Sequence, residues 1–144
     1  MGAIRTFLED VRTRVEAVVD GGSVKQFDRV WIAAFVDLES MLTIPRFPAA
    51  VIVDGGGETD RINGQIMTRQ FSVTVVDAHP RDHMGEEAVL QVIDRGEFLT
   101  AALKYDTSIE IYNASDDDLV AIATEMGLMV LMKTYRFVAV FELP

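Results

Sequence analysis

His79 and His83 stand four residues apart in DAHPRDH, with Asp77, Asp82 and Glu86 beside them. On a helix that spacing would put both imidazoles on one face, where they could share a divalent metal. Pro80 follows His79 directly and disfavours helical backbone there, so the rings are not expected to converge. The stretch AHPRDHMG reads as a solvated loop instead. A second chemistry is suggested by Gly55-Gly56-Gly57, which ends the apolar run AAVIV. A Walker loop needs GxxxxGK(S/T), with the lysine on the phosphates and a helix starting at the loop. Here Glu58, Thr59 and Asp60 follow, and Gly64 stands too far on to complete GxGxxG. The carboxylates of Asp54, Glu58 and Asp60 would also repel a triphosphate. Asp116-Asp117-Asp118 raises calcium, but the alternating ligands, central glycine and closing glutamate of an EF-hand are missing. No serine lies in a GxSxG elbow, and the absence of cysteine excludes thiolate chemistry and disulfides. The expectation is a non-enzymatic chain with no catalytic residue, cofactor or metal.

Periodicity defines the elements that carry these residues. Ile4, Phe7, Leu8, Val11, Val15, Val18 and Val19 recur at spacings of three and four, which predicts an amphipathic helix over about residues 3–19. Asp20 to Ser23 should end it. Val30 to Phe35 reads as a short strand holding the single tryptophan, Trp31, and Asp37 to Leu42 as a brief helical turn before Pro45 and Pro48. Ala49 to Val53 and Gln65 to Asp77 read as two strands of a hairpin, the second alternating apolar and polar side chains. The glycines then fall at the hairpin's long, mobile tip. Helical spacing returns over 85–104, with Gly96 in its middle, at a cost of about 1 kcal/mol relative to alanine. A glycine there permits close packing.

Ile109 to Tyr112 and Leu119 to Thr124 are expected strands around the acidic loop ASDDD, and Leu128 to Leu143 is a long final strand. Its near-continuous apolar run fits a strand buried on both faces and equally an edge strand paired across a subunit boundary. Met126, Met129 and Met132 cluster at its start, as on an adaptable contact surface. The predicted class is α+β, a mostly antiparallel or mixed sheet flanked by two main helices, in one domain over residues 1–144.

Composition narrows the function classes. Thirteen basic and 23 acidic residues leave a net charge of −10. Nucleic-acid affinity depends on Lys and Arg displacing counterions, so specific nucleic-acid binding is not expected. No run of about 18 apolar residues exists to span a membrane, and the N-terminus lacks the uninterrupted apolar core of a signal peptide.

The order of elements resembles the tail terminator (tail completion) proteins of long-tailed bacteriophages. The matching features are the leading amphipathic helix, the strand RFPAAVIVDGGG and the long strand GQIMTRQFSVTVVD. The helix AVLQVIDRGEFLTAAL and the closing strand YRFVAVFELP complete them. The resemblance implies a virion protein, assembled in the host cytoplasm into a ring, usually a homohexamer, at the head-proximal end of the tail. Such a ring caps the tail tube, stops its polymerisation and offers a joining surface to the neck or head-completion protein, and to a sheath if the tail is contractile. Another neck or baseplate adaptor and a small α+β ligand-binding domain remain alternatives. On the ring reading, residues 54–64 and 77–85 are expected to be mobile until assembly orders them. Candidate subunit contacts are Asp54, Gly55, Gly56, Gly57, Glu58, His79, Arg81, Asp82, Met129 and Met132. Asp60, Asp116, Asp117 and Asp118, with Asp54 and Glu58, are candidate acids for a lumen that repels passing DNA.

Overall fold

The computed structural model describes residues 2–43, 46–59, 65–80, 85–104, 109–124 and 127–142. Chain order is α1 (Ala3–Glu16), β1 (Arg29–Ala33), α2 (Leu38–Thr43), β2 (Ala49–Thr59), β3 (Ile66–Pro80), α3 (Glu86–Lys104), β4 (Glu110–Asp116), β5 (Val120–Ala123) and β6 (Leu128–Glu142). The expected α+β class with two main helices is the observed one. The six strands form one mixed sheet in the order β1-β2-β3-β6-β4, with β5 also paired to β6. Only β1 and β2 run parallel, joined by the crossover that carries α2; the other pairs are antiparallel. No described helix is long and apolar enough to cross a membrane.

The sheet has two unlike faces. Strand alternation sends Ala50, Ile52, Phe71, Val73, Val75, Leu131, Phe137 and Phe141 to one side, where Phe7, Val11 and Val15 of α1 and Val92, Leu99 and Leu103 of α3 cover them. Phe71 and Phe137 are register partners on neighbouring strands and stack with centroids 5.2 Å apart. Phe7 descends from α1 to stack on Phe141 at 4.9 Å and meets Phe71 edge-on at 5.6 Å. Such pairs add about 1 kcal/mol each beyond area burial. The opposite face holds a smaller cluster in which Met41 of α2 covers Ala49, Val51, Val76 and Val130. Leu42 and Phe47 pack on the same cluster, whereas Thr68, Gln70 and Arg136, further along the strands, are exposed on this face.

Several boundaries differ from expectation, each for a local reason. Helix α1 stops at Glu16 rather than Val19. Asp20 Oδ1 accepts the N–H groups of Gly22 and Val24 at 2.8 and 2.9 Å, and that turn draws Val19 into an extended bridge with Lys25. The glycines are not the hairpin tip. Strand β2 runs on through them to Thr59, and the ladder goes from Asp54↔Phe71 to Gly57↔Arg69, three steps on β2 against two on β3. This is a β-bulge. Gly56 carries φ +86°, and a Cβ on Gly57 would lie 2.3 Å from the Thr68 carbonyl oxygen, so both positions require glycine. Residues 54–59, the described part of the first stretch expected to be mobile, are thus paired in a two-stranded ladder, while 60–64 and 81–84 lie outside the described residues.

Strand β3 likewise continues past Asp77 to Pro80, so His79 is a strand residue opposite Met129 and not part of a solvated loop. Pro80 is tolerated as the strand's last residue. Strand β4 extends to Asp116, which shortens the acidic loop. Strand β6 lies inside the sheet, with β3 along one side and β4 and β5 along the other, so it is not an edge strand. Its apolar continuity follows from burial on both faces at its start, where Val130 and Leu131 are fully buried on opposite sides.

Candidate functional site

The sequence-predicted residues gather at two places along the β3–β6 pair, midway beside the bulge and where β3 ends. Midway, Asp54 and Gly55 from the bulge line a groove of about 270 Å³ together with Gln70, Ser72, Ser115, Arg136 and Val138. The glycine segment and the acidic β4 end, 60 residues apart in sequence, are thus brought together. The groove is bordered by ion pairs. Arg69 Nε donates to Asp54 Oδ1 at 2.8 Å and its Nη2 to Asp54 Oδ2, a bidentate contact. That hydrogen bonding holds the Asp54 carboxyl below the usual aspartate range, against a smaller opposing effect of burial. Arg136 Nη2 donates to Asp117 Oδ2 at 2.9 Å, and Lys133 Nζ stands 2.8 Å from Asp116 Oδ2.

Three of the candidate lumen acids, Asp54, Asp116 and Asp117, are therefore locally neutralised. Glu58 and Asp118 are exposed and have no ion-pair partner among the described residues. Asp60, Arg81 and Asp82 lie outside the described residues. Met129 and Met132 are half-buried within the sheet interior, and Met132 packs on the smaller cluster.

Near the end of β3, that strand and α3 build a polar cluster that the sequence reading missed. Asp77, 5% exposed, receives Arg95 Nη1 at 2.7 Å and the Ala78 N–H at 2.9 Å. His79 Nε2 lies 3.2 Å from the same Asp77 oxygen but is not aligned as a hydrogen bond, and it and Arg95 Nε are buried without partners. The available signal was strand alternation carried two residues further: Val73, Val75, Asp77 and His79 share one side of β3, the side that faces α3. Charge neutralisation under a helix is what this arrangement achieves. Among the described residues, no three His, Cys, Asp or Glu side chains converge as metal ligands.

A third feature is the groove of about 450 Å³ between α3 and the β4–β6 pair, lined by Glu97, Thr100, Asp116, Lys133 and Tyr135 among others. Burial pushes the Tyr135 phenol up to about 12, and the nearby Asp116 and Glu97 carboxylates add to the shift. The folded state therefore keeps a proton that the unfolded chain gives up near pH 10. The unfolded state binds fewer protons in that window, so stability should fall as pH rises from about 10 to 12. Urea midpoints measured at pH 8, 10 and 11 should show a decline that Tyr135→Phe reduces. An identical decline in the variant would remove Tyr135 as its source. Comparison with known proteins finds no family model that matches this chain, and no curated protein that matches it either.

Proposed function

We propose that this chain is a structural subunit of the tail-terminator kind, forming a ring, most simply a hexamer, that caps a phage tail tube. It ends tube polymerisation and presents the joining surface for the neck. The reading starts from the resemblance in element order. The observation that supports it best is the unlike covering of the sheet: α1 and α3 seal one face, Met41, Leu42 and Phe47 pack on part of the other, and Phe35, Tyr112 and Val120 near the sheet edges stay exposed for a neighbour. A ring of identical subunits covers such surface by heterologous contacts that close on themselves. Glu58 and Asp118 are the described candidate acids that have no cation within the subunit, and Glu58 is the one left to repel DNA in a lumen.

Electron microscopy and native mass spectrometry of the purified chain test the reading. The expected result is a sixfold ring with an open channel, of six times the 16.0 kDa subunit mass. Added to polymerising tail tube protein, the chain should sit at one tube end and halt growth. A monomer at high concentration that leaves tube length unchanged would overturn the proposal.

A further inference from the structure

The sheet ends in two unpaired edges that match each other. Among the described residues nothing pairs with the outer side of β1, or with the outer sides of β4 and β5, which lie end to end along β6. An unpaired edge presents a row of free N–H and C=O groups and pairs readily with another strand. Strand directions alternate so that β4 and β5 run opposite to β1. A second copy, rotated about an axis along the strands, brings its β1 antiparallel to β4 and β5 and keeps the helix-covered faces on one side. Antiparallel pairing is the more favourable kind per residue.

Register sets what would meet. Straight across the sheet, Arg29 lies level with Ala49, Val76, Met132 and Val120. Ala33 lies level with Val53, Ser72, Arg136 and Ser115. The whole of β1 is therefore level with residues 115–120, the acidic corner between β4 and β5. Charges complement there. The Arg29 guanidinium rests 4.2 Å from the Trp31 ring centroid and has no carboxylate partner among the described residues. Asp118 has no cation.

Apolar exposure agrees. Phe35, just beyond β1, is 65% exposed, and Tyr112 of β4 and Val120 of β5 are each 46% exposed. These three are half of the large apolar side chains exposed among the described residues.

We propose that copies of this chain join edge to edge, the outer side of β1 in one copy adding as a strand to the β4–β5 edge of the next, with Arg29 level with Val120 and diagonally across from Asp118. The inference rests on the ring reading and names its subunit contact. Because the two edges differ, the contact is heterologous, and in a closed ring every β1 edge finds a partner.

Sedimentation velocity and amide exchange on the full chain test it with Arg29→Glu, Asp118→Arg and the two combined, all surface changes whose folding is checked by circular dichroism. Each single reversal sets like charges diagonally across the contact and should weaken assembly about tenfold or more, and the combined variant should recover to within about threefold. The outward-facing amides among residues 30–33 should gain protection on assembly in the wild type. Single variants that assemble like wild type, or β1 amides that exchange equally fast in both states, would overturn the edge contact while a sixfold ring would leave the proposed function standing. Assembly into open filaments with β1 protected would uphold the contact and overturn the ring. A chain that stays monomeric overturns both.

Discussion

Arg95→Met is expected to destabilise the fold by about 3–5 kcal/mol, the largest single effect foreseen here. Asp77 sits on β3 beneath α3, and Arg95 Nη1 at 2.7 Å supplies its countercharge. Methionine keeps much of the arginine's apolar stem but leaves the buried carboxylate with only the Ala78 N–H and the nearby His79 ring. Removing one partner of a buried pair costs far more than the pair contributes, because desolvation of the remaining ion is no longer offset. The double variant Asp77→Leu, Arg95→Met should therefore recover most of the loss. Urea unfolding of wild type, both singles and the double gives the coupling energy directly. A cost under about 1 kcal/mol for Arg95→Met would mean that water reaches Asp77 and that the cluster is a surface pair in energetic terms.

Gly96→Ala should cost about 2 kcal/mol or more. Two effects oppose each other here. Alanine gains up to about 1 kcal/mol over glycine from helix propensity alone. Against that, a Cβ at Gly96 would lie 1.8 Å from the Tyr135 hydroxyl oxygen and 2.1 Å from Cζ, far inside van der Waals contact. Tyr135 is 7% exposed on β6 and packs in the main core cluster, so displacing its ring toward the groove that it lines disturbs that packing. Overpacking of this kind typically costs about 1–3 kcal/mol and occasionally more, which exceeds the propensity gain. Tyr135→Ala would open the space, so Gly96→Ala added to that background should become neutral or stabilising. Denaturant midpoints on the two backgrounds test this; a Gly96→Ala variant more stable than wild type would show that the ring yields.

The two predictions depend unequally on sequence and structure. Gly96 was conspicuous in a helical pattern, and a glycine there implied a close neighbour. That the neighbour is Tyr135, 39 positions later, follows only from α3 crossing β6. Asp77 looked like the end of a strand at the start of a loop, since a carboxylate on an inward-facing position contradicts the apolar pattern. Its place became legible only when α3 delivered Arg95 to the same point.

Short-range periodicity alone determined the class of this protein. The stripe of α1, the alternation of β3 and the run of β6 each follow from side-chain direction on a helix or strand, which is a local property of the backbone. The stop at Gly55-Gly56-Gly57 was equally visible, but its meaning was not. Glycine permits a tip and a bulge alike, and the pairing of β3 across Asp54 and Gly57 decided for the bulge. Tertiary structure alone decided which strand is central, which edges stay open, and which acids acquire cations. Asp116, Asp117 and Asp118 are indistinguishable in sequence. Lys133 and Arg136 point to opposite faces of β6, so one neutralises Asp116 and the other Asp117, and Asp118 is left charged at the edge. Strand alternation fixes those directions, but only the β4–β6 ladder sets which acid meets which base, because pairing between distant segments is a property of the whole sheet.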